Sequence, residues 1–317
     1  MKIGVDIMGG DFAPLEITKG VIDALPHLGE GVQLVLFGDI EAITQQFNEA
    51  GADLSKVSIV ATTEVIAMDE HPTKAITQKQ DSSISRGFEY LKRGEIDAFC
   101  GAGNSGAMMV GAMFSVKTIP GVLRPAVCSV LPKEDGPWGV FLDVGLNADC
   151  KPEMLQQFGV LGSLYLEHVH GFNQPKVGLM NIGEEEEKGS VLTQATHQLL
   201  KSTKDINFIG NVEGRDLFND KADVIVCDGF TGNVILKLAE SFYNLIQKRA
   251  IADTYFERFN YENYGGTPVL GLNAPVIIAH GISNARAVKN MIHITEKVTA
   301  ARLTEKIAQA MQESIAH

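Results

Sequence analysis

Cysteine is scarce and scattered. Cys100, Cys128, Cys150 and Cys227 show no C-x-x-C spacing and fall in or beside apolar runs, so buried thiols are expected rather than disulfides or a zinc–thiolate site. No run approaches the ~18 to 20 continuous apolar residues that a membrane-spanning helix needs. The opening MKIGVDIMGGD meets an aspartate before a signal-peptide core can form, which makes a cytoplasmic location the expectation. A basic excess is missing too: the formal net charge is −12 and no basic tail offsets it. That balance argues against nucleic acid as a partner and leaves any acidic partner dependent on a local basic patch. Internal repeats, low-complexity tracts and Pro/Ser-rich linkers are also absent, so residues 1–317 read as a single compact unit, with a helical segment at about 234–260.

What is present is an alternation of short β-rich runs with helical patterns. The runs are KIGVD, VQLVLFG, VSIVA, IDAFCGA, AVCSVL, WGVFLDVG, KVGLMNIG, INFIGNVEG, DVIVCDG and PVIIAHG. Most are continuously apolar, as expected of strands covered on both faces, and with helices between them they predict an α/β fold with a mostly parallel sheet. Helices are predicted over 82–93, capped by Ser82 or Ser83, and over 152–170, opened by Pro152. A last helix from about Ser283 repeats Ala287, Met291, Ile294, Val298 and Ala301 at helical spacing, suited to packing on the sheet or on a second subunit.

Several of these strands end in glycine-rich or polar loops, and in open α/β sheets the ligand crevice lies at the carboxyl ends of the strands. GAGNSGA matches G-x-G-x-x-G through Gly101, Gly103 and Gly106, but the acidic residue expected about 20 positions later to hold a ribose is missing in IPGVLRP. What remains is an anion site at a helix start, with Asn104 and Ser105 adding donors, or else a tight turn that binds nothing. CDGFTGNVILK has the same form, through Gly229, Thr231, Gly232 and Asn233, with Lys237 a turn later. Neither loop contains G-K-[ST], which excludes a P-loop.

NIGEEEEKGS places four carboxylates, Glu184 to Glu187, behind a predicted strand. Helical residues are ~100° apart, so four in succession cannot converge on one ion. Favourable interaction with the helix dipole predicts instead the first turn of a helix. Lys188 is then either a cation for phosphate or a developing oxyanion, or a solvated surface lysine.

DIMGGDFAP (6–14), KQDSSI (79–84), GAGNSGA (101–107), DVGLN (143–147), NIGEEEEKG (181–189), NVEGRD (211–216), DGFTGNVILK (228–237), YGGTPVLGL (264–272) and HGISNA (280–285) together resemble the bacterial phosphate acyltransferases of the PlsX type. The resemblance runs in family order over nearly the whole chain. It implies a homodimeric, Rossmann-like three-layer α/β/α protein with a mostly parallel central sheet, no cofactor and no metal. It also implies an activity: transfer of a long-chain fatty acyl group from acyl carrier protein to inorganic phosphate. The acyl phosphate would feed phosphatidic acid synthesis through a downstream glycerol-3-phosphate acyltransferase, at the inner face of the cell membrane.

Phosphate would itself be the nucleophile, in keeping with the absence of a G-x-S-x-G elbow. The residues implied are Lys188 and Asn233 as a polarising pair, with His280 as an acid/base or a hydrogen-bonded turn residue. Gly103, Asn104, Ser105 and Gly106 would cradle phosphate, and Asp11, Asn147, Gly229, Thr231 and Gly232 would line the site. The chain departs from the family pattern in ITQKQDSS, which has few basic residues, and in a shortened segment between Asn233 and Tyr264. There Leu238, Phe242, Leu245 and Ile246, with Lys248, Arg249 and Arg258, would suit a dimer-packing helix, an interfacial helix or a dock for the acidic carrier. Two rival functions remain at this point: a short-chain phosphotransacetylase acting on acyl-coenzyme A, and a non-catalytic acyl- or phosphate-binding protein. A nicotinamide-dependent dehydrogenase is disfavoured by the missing ribose acid.

Overall fold

The computed structural model describes residues 1–204 and 206–315. Contacts group the chain into two compact units, one of Met1–Thr118 and Tyr261–Arg302, the other of Ile119–Asn260 and the stretch from Leu303. In chain order the strands are β1 (Lys2–Asp6), β2 (Gln33–Gly38), β3 (Val57–Ala61), β4 (Ala98–Gly101), β5 (Ala126–Val127), β6 (Ser129–Leu131), β7 (Gly139–Leu142), β8 (Lys176–Met180), β9 (Asn207–Val212), β10 (Val224–Val226), β11 (Thr267–Leu270) and β12 (Val276–Ile278).

In the first unit the strands stand in the order β3-β2-β1-β4-β12-β11, parallel throughout except between β12 and β11. The chain order reverses between β1 and β4, and such a switch point opens the crevice of a doubly wound sheet. In the second unit the order is β6-β7-β10-β8-β9, with only β6 and β7 antiparallel. Here β10 returns to lie between β7 and β8, so the loops after β8 and β10 leave neighbouring parallel strands at one edge. The α/β class with mostly parallel sheets is therefore correct, and it is realised as one sheet per unit.

Inner strands are buried as expected, every residue of β4 and β7 and all but the first of β1 and β2, whereas the edge strands β3 and β9 are largely not. Ser82 caps helix Ser83–Arg93 by accepting from the Ser85 N–H at 3.2 Å, and Gly94 ends it with φ +71°. Helix Pro152–His170 opens on Pro152 and ends at Gly171, φ +73°. The predicted last helix is Ala285–Ala300, capped by Asn284, and it packs within its own unit on helix Leu15–Ala24 and on the sheet. Beyond it, helix Leu303–Ile315 joins the second unit.

Two readings differ. AVCSVL is broken into β5 and β6 at Cys128. TPVL forms β11, which is not among the predicted strands; it holds Pro268, and proline cannot donate to a ladder. All four thiols are free, three of them buried, and burial pushes the pKa of Cys100 to about 12.

Asp6 ends β1 fully buried. Burial dominates and raises its pKa from 3.8 to about 6, against the opposing hydrogen bonds of the Ser83 side chain and the Met8 and Gly9 N–H groups. Glycine backbone closes around the carboxyl. A Cβ on Gly9 would fall 2.1 Å from Asp6 Oδ2, one on Gly103 2.9 Å from it, and one on Gly101 2.8 Å from the Asp6 Cβ.

Because the folded pKa lies above the unfolded one, ionising Asp6 opposes folding. The penalty is absent below about pH 4, grows to about pH 6 and is constant above, where it amounts to about 3 kcal/mol. Asp6→Asn is therefore expected to gain stability relative to wild type as the pH rises from about 4 to about 6, and to keep that gain above. Urea midpoints of the two proteins measured across that range check this, and a pH-independent difference would refute it. A second test concerns packing: a Cβ on Gly87 would lie 2.2 Å from the Phe99 ring, whereas one on Gly214 meets nothing within 4 Å. Gly87→Ala should cost about 1–3 kcal/mol by the same assay, and Gly214→Ala no more than about 0.5 kcal/mol.

Candidate active site

In the first unit four loops meet at the carboxyl edge around β1 and β4. The Asp11 N–H donates to the Gly281 carbonyl at 2.7 Å, which ties the loop after β1 to the loop after β12. Gly10, at φ +111°, would bring a Cβ within 3.1 Å of that same carbonyl. Gly281 lies under Met68, whose Cε would be 2.5 Å from a Cβ there. Asp11 is exposed. His280 is half-buried and sits edge-on against Tyr261, ring centroids 5.1 Å apart. Its carbonyl accepts from the Ser283 N–H at 3.0 Å and the Ser283 hydroxyl at 2.6 Å.

Asn104 departs from its expected role as a phosphate donor. Its Oδ1 caps helix Ser105–Ser115 by accepting from the Ala107 N–H at 3.0 Å. Its Nδ2 is directed to the carbonyls of Ala67, Met68 and Glu70, at 2.8 to 3.2 Å. This buried side chain is a clamp on the 67–70 loop. The N–H groups of Ser105 and Gly106, in the first turn, have no partner among the described residues, and Ser105 is exposed. Gly103 is glycine because of Asp6, and Gly106 because a Cβ would meet Pro72 Cγ at 2.4 Å. Lys79, from the segment poor in basic residues, pairs with Glu70 at 2.5 Å and donates to the Val65 carbonyl at 2.6 Å.

In the second unit the organising group is Asp143, fully buried at the end of β7. Burial raises its pKa, and hydrogen bonds to the ionised form draw it back. Oδ1 accepts from the Val127 N–H at 2.9 Å, and Oδ2 from the Leu146 N–H at 3.1 Å, the Asn147 N–H at 2.6 Å and Asn147 Nδ2 at 2.9 Å. Asn147 in turn accepts from the Gly229 N–H at 2.8 Å. A Cβ on Gly229 would lie 2.7 Å from Asp143 Oδ2, and one on Gly232 1.9 Å from the Asp143 carbonyl. These glycines let helix Gly229–Lys248 seat against the 143–147 loop.

That helix start is not an open anion cradle. Asp228 caps it, Oδ1 taking the Thr231 N–H and Oδ2 the Thr231 hydroxyl, both at 2.8 Å, so a carboxylate already complements the dipole. Asn233, one residue past Gly232, is exposed, with Nδ2 3.3 Å from the Val144 carbonyl. Arg258, read as part of a basic flank, instead donates to the carbonyls of Lys133 at 2.7 Å and Gly136 at 3.0 Å.

Glu184 to Glu187 are not the first turn of a helix. The run is a loop, and the helix begins at Val191, capped by Ser190, because Gly189 at φ +91° breaks the path before it. Glu184 pairs with Lys221 at 2.6 Å and Glu186 with Lys201 at 2.5 Å. Glu184, Glu213 and Asp216 bring carboxylate oxygens within 4.8 Å of one another. Lys221 bridges Glu184 and Asp216, and Arg215 pairs with Glu213, so cations of the chain already serve that cluster.

Lys188 is exposed, its stem lying over Gly183, and its amine has no ion pair among the described residues. Neighbouring strands β8 and β10 carry Lys188 and Asn233 to the same edge of the sheet, and no hydrogen bond joins the two. Sequence reasoning missed Asp143 and Asp228. For the two aspartates a signal was present, an acid closing a buried apolar run just before a glycine-containing loop.

The family model described as "Fatty acid synthesis protein" matches residues 1–306. The phosphate acyltransferase of Dictyoglomus thermophilum is 40% identical to this chain over 330 aligned positions covering 98% of each. That of Desulforamulus reducens is 43% identical over 332 positions, again 98% of each. Among solved structures, a phosphotransacetylase from Streptococcus pyogenes superposes with a TM-score of 0.67 at 17% identity, covering 95% of this chain and 94% of that one. A 4-hydroxythreonine-4-phosphate dehydrogenase from Klebsiella pneumoniae gives 0.56 at 14%, covering 94% and 98%. At those identities the likeness is one of fold. With nearly its full length matched, the chain belongs to the PlsX-type fatty acid synthesis family and is an acyltransferase that moves an acyl group to phosphate.

Proposed function

We propose that the acyl donor is a long-chain acyl group on acyl carrier protein and the acceptor inorganic phosphate, the acyl phosphate then serving phosphatidic acid synthesis through a glycerol-3-phosphate acyltransferase. The observation that carries the reading is Lys188, a cation without an ion pair among the described residues, in a loop where neighbouring glutamates are tied to lysines. A phosphate oxygen attacks the thioester carbonyl, a tetrahedral oxyanion forms, and the C–S bond breaks to release the carrier's thiolate. Lys188 and the free N–H of the Asn233 amide polarise the carbonyl and stabilise the oxyanion. Within the first unit, the Ser105 and Gly106 N–H groups leave a helix start open to an anion, with Asp11 and His280 in neighbouring loops of that unit. Burial holds the chain's own thiols protonated, Cys150 at about 11 and Cys100 at about 12, and a protonated thiol is a poor nucleophile. Direct attack by phosphate agrees with that chemistry.

Partners are read from helix Gly229–Lys248. Phe230, Val234, Leu238, Phe242 and Leu245 form an exposed stripe at helical spacing, each at least half exposed. A second copy of the chain suits it. Lys248 and Arg249 at its end suit an acidic carrier or, weakly, an anionic membrane surface; among the described residues no helix is long and apolar enough to cross a membrane.

Lys188→Ala is expected to cut turnover at least about 100-fold while shifting stability by no more than about 0.5 kcal/mol. The assay follows acyl phosphate by mass spectrometry from long-chain acyl carrier protein and phosphate, with acetyl-coenzyme A in parallel. Near-normal turnover of Lys188→Ala removes the lysine from the mechanism, and product from acetyl-coenzyme A alone would replace the donor with a short-chain one.

A further inference from the structure

Beneath the loop that carries Lys188 lies a chain of buried polar groups that the reaction as written does not use. His197, 3% exposed on helix Val191–Ser202, places Nδ1 2.9 Å from Asn211 Oδ1. Asn211, also 3% exposed, stands near the end of β9, and its Nδ2 donates to the Glu185 carbonyl at 2.8 Å. The same carbonyl accepts the Lys188 N–H at 3.1 Å, which closes the turn Glu185–Lys188. The far side of the turn is held by Asn181, whose Nδ2 donates to the Lys188 carbonyl at 3.1 Å.

The geometry sets the direction of these bonds. A peptide carbonyl only accepts, so Asn211 turns its amide nitrogen to Glu185 and its oxygen to His197, and a hydrogen on His197 Nδ1 completes the contact, while Nε2 faces Glu186 Oε1 at 3.9 Å. Phe208, edge-on at 5.1 Å, holds the ring in place. Outside this chain the loop is anchored by exposed groups, such as the ion pair of Glu186 with Lys201, worth little at a surface. The interior polar chain ties the turn down, because breaking it leaves a buried donor or acceptor unsatisfied.

We propose that His197 and Asn211 are positioning residues for Lys188: without touching substrate, they set the turn from which the lysine reaches the reacting carbonyl. This rests on the role given to Lys188 above. A misplacement of about 1 Å in such a group costs about 100-fold in rate.

Three variants test it in the full-length protein: His197→Leu, Asn211→Asp, which sets a carboxylate oxygen against the Glu185 carbonyl, and His197→Asn, whose amide nitrogen replaces Nδ1 as donor. Turnover is measured with long-chain acyl carrier protein and phosphate, in the wild-type and Lys188→Ala backgrounds. His197→Leu and Asn211→Asp should lower kcat about 10- to 100-fold with KM for phosphate little changed, His197→Asn should recover most of the loss, and neither lowering should appear on top of Lys188→Ala. Equal losses in both backgrounds, or no rescue by His197→Asn, overturn the positioning role in favour of a purely structural one. Should Asn211→Asp fail to fold, the contrast of His197→Leu with His197→Asn decides alone. Loss of activity in Lys188→Ala beside full activity in His197→Leu and Asn211→Asp overturns only this inference. Near-normal turnover of Lys188→Ala overturns the role of the lysine, and this inference with it.

Discussion

A carboxylate buried at the carboxyl end of a parallel strand is cut off from water, and the chain has to close tightly around it. Each unit is arranged around one such group. In the first, Asp6 draws Gly9, Gly101 and Gly103 around itself. In the second, Asp143 collects four hydrogen bonds and the glycines at the start of helix Gly229–Lys248. The path of the glycine-rich loops follows from these two desolvated acids. The exposed groups assigned to chemistry, Ser105 in one unit and Asn233 in the other, stand on the helices those loops open.

This changes what the glycines mean. A G-x-G-x-x-G turn suggests backbone made bare for a ligand, yet here Gly103, Gly106, Gly229 and Gly232 are each bare for another part of the chain. The donors left for a ligand are fewer than the motif suggests: Asn104 is consumed by the 67–70 loop, and Asp228 already sits on the second helix start. Ser105, Gly106, Asn233 and Lys188 remain.

The sheets were legible because strands covered on both faces must be apolar throughout, and nearly every such run is a strand. Ser82 and Pro152 marked helix starts because each does something at an N-terminus that few residues can do. The four glutamates misled for an equally physical reason. Carboxylates are favoured in the first turn of a helix, but they are also soluble loop residues, and the decisive signal lay after them, in Gly189 and the capping Ser190. β11 hid behind Pro268. That Lys188 and Asn233 follow the carboxyl ends of strands could be read, but which donors were already spent could not. That depends on long-range partners such as the Asn104 amide and the Glu70 carbonyl, 34 positions apart.

The acidic loop around Lys188 also shapes the field an anion meets on approach. The chain carries −12 overall and the loop itself four carboxylates, two of them, Glu185 and Glu187, with no ion pair among the described residues. Within a Debye length of about 8 Å at physiological salt the glutamates and the lysine are felt together, and their sum repels. Attraction prevails only when the anion is close enough to contact the ammonium group itself. Capture by such a loop is governed by short-range fit rather than by steering from afar, and added salt, by screening the repulsion, eases entry where in a basic cleft it would hinder it.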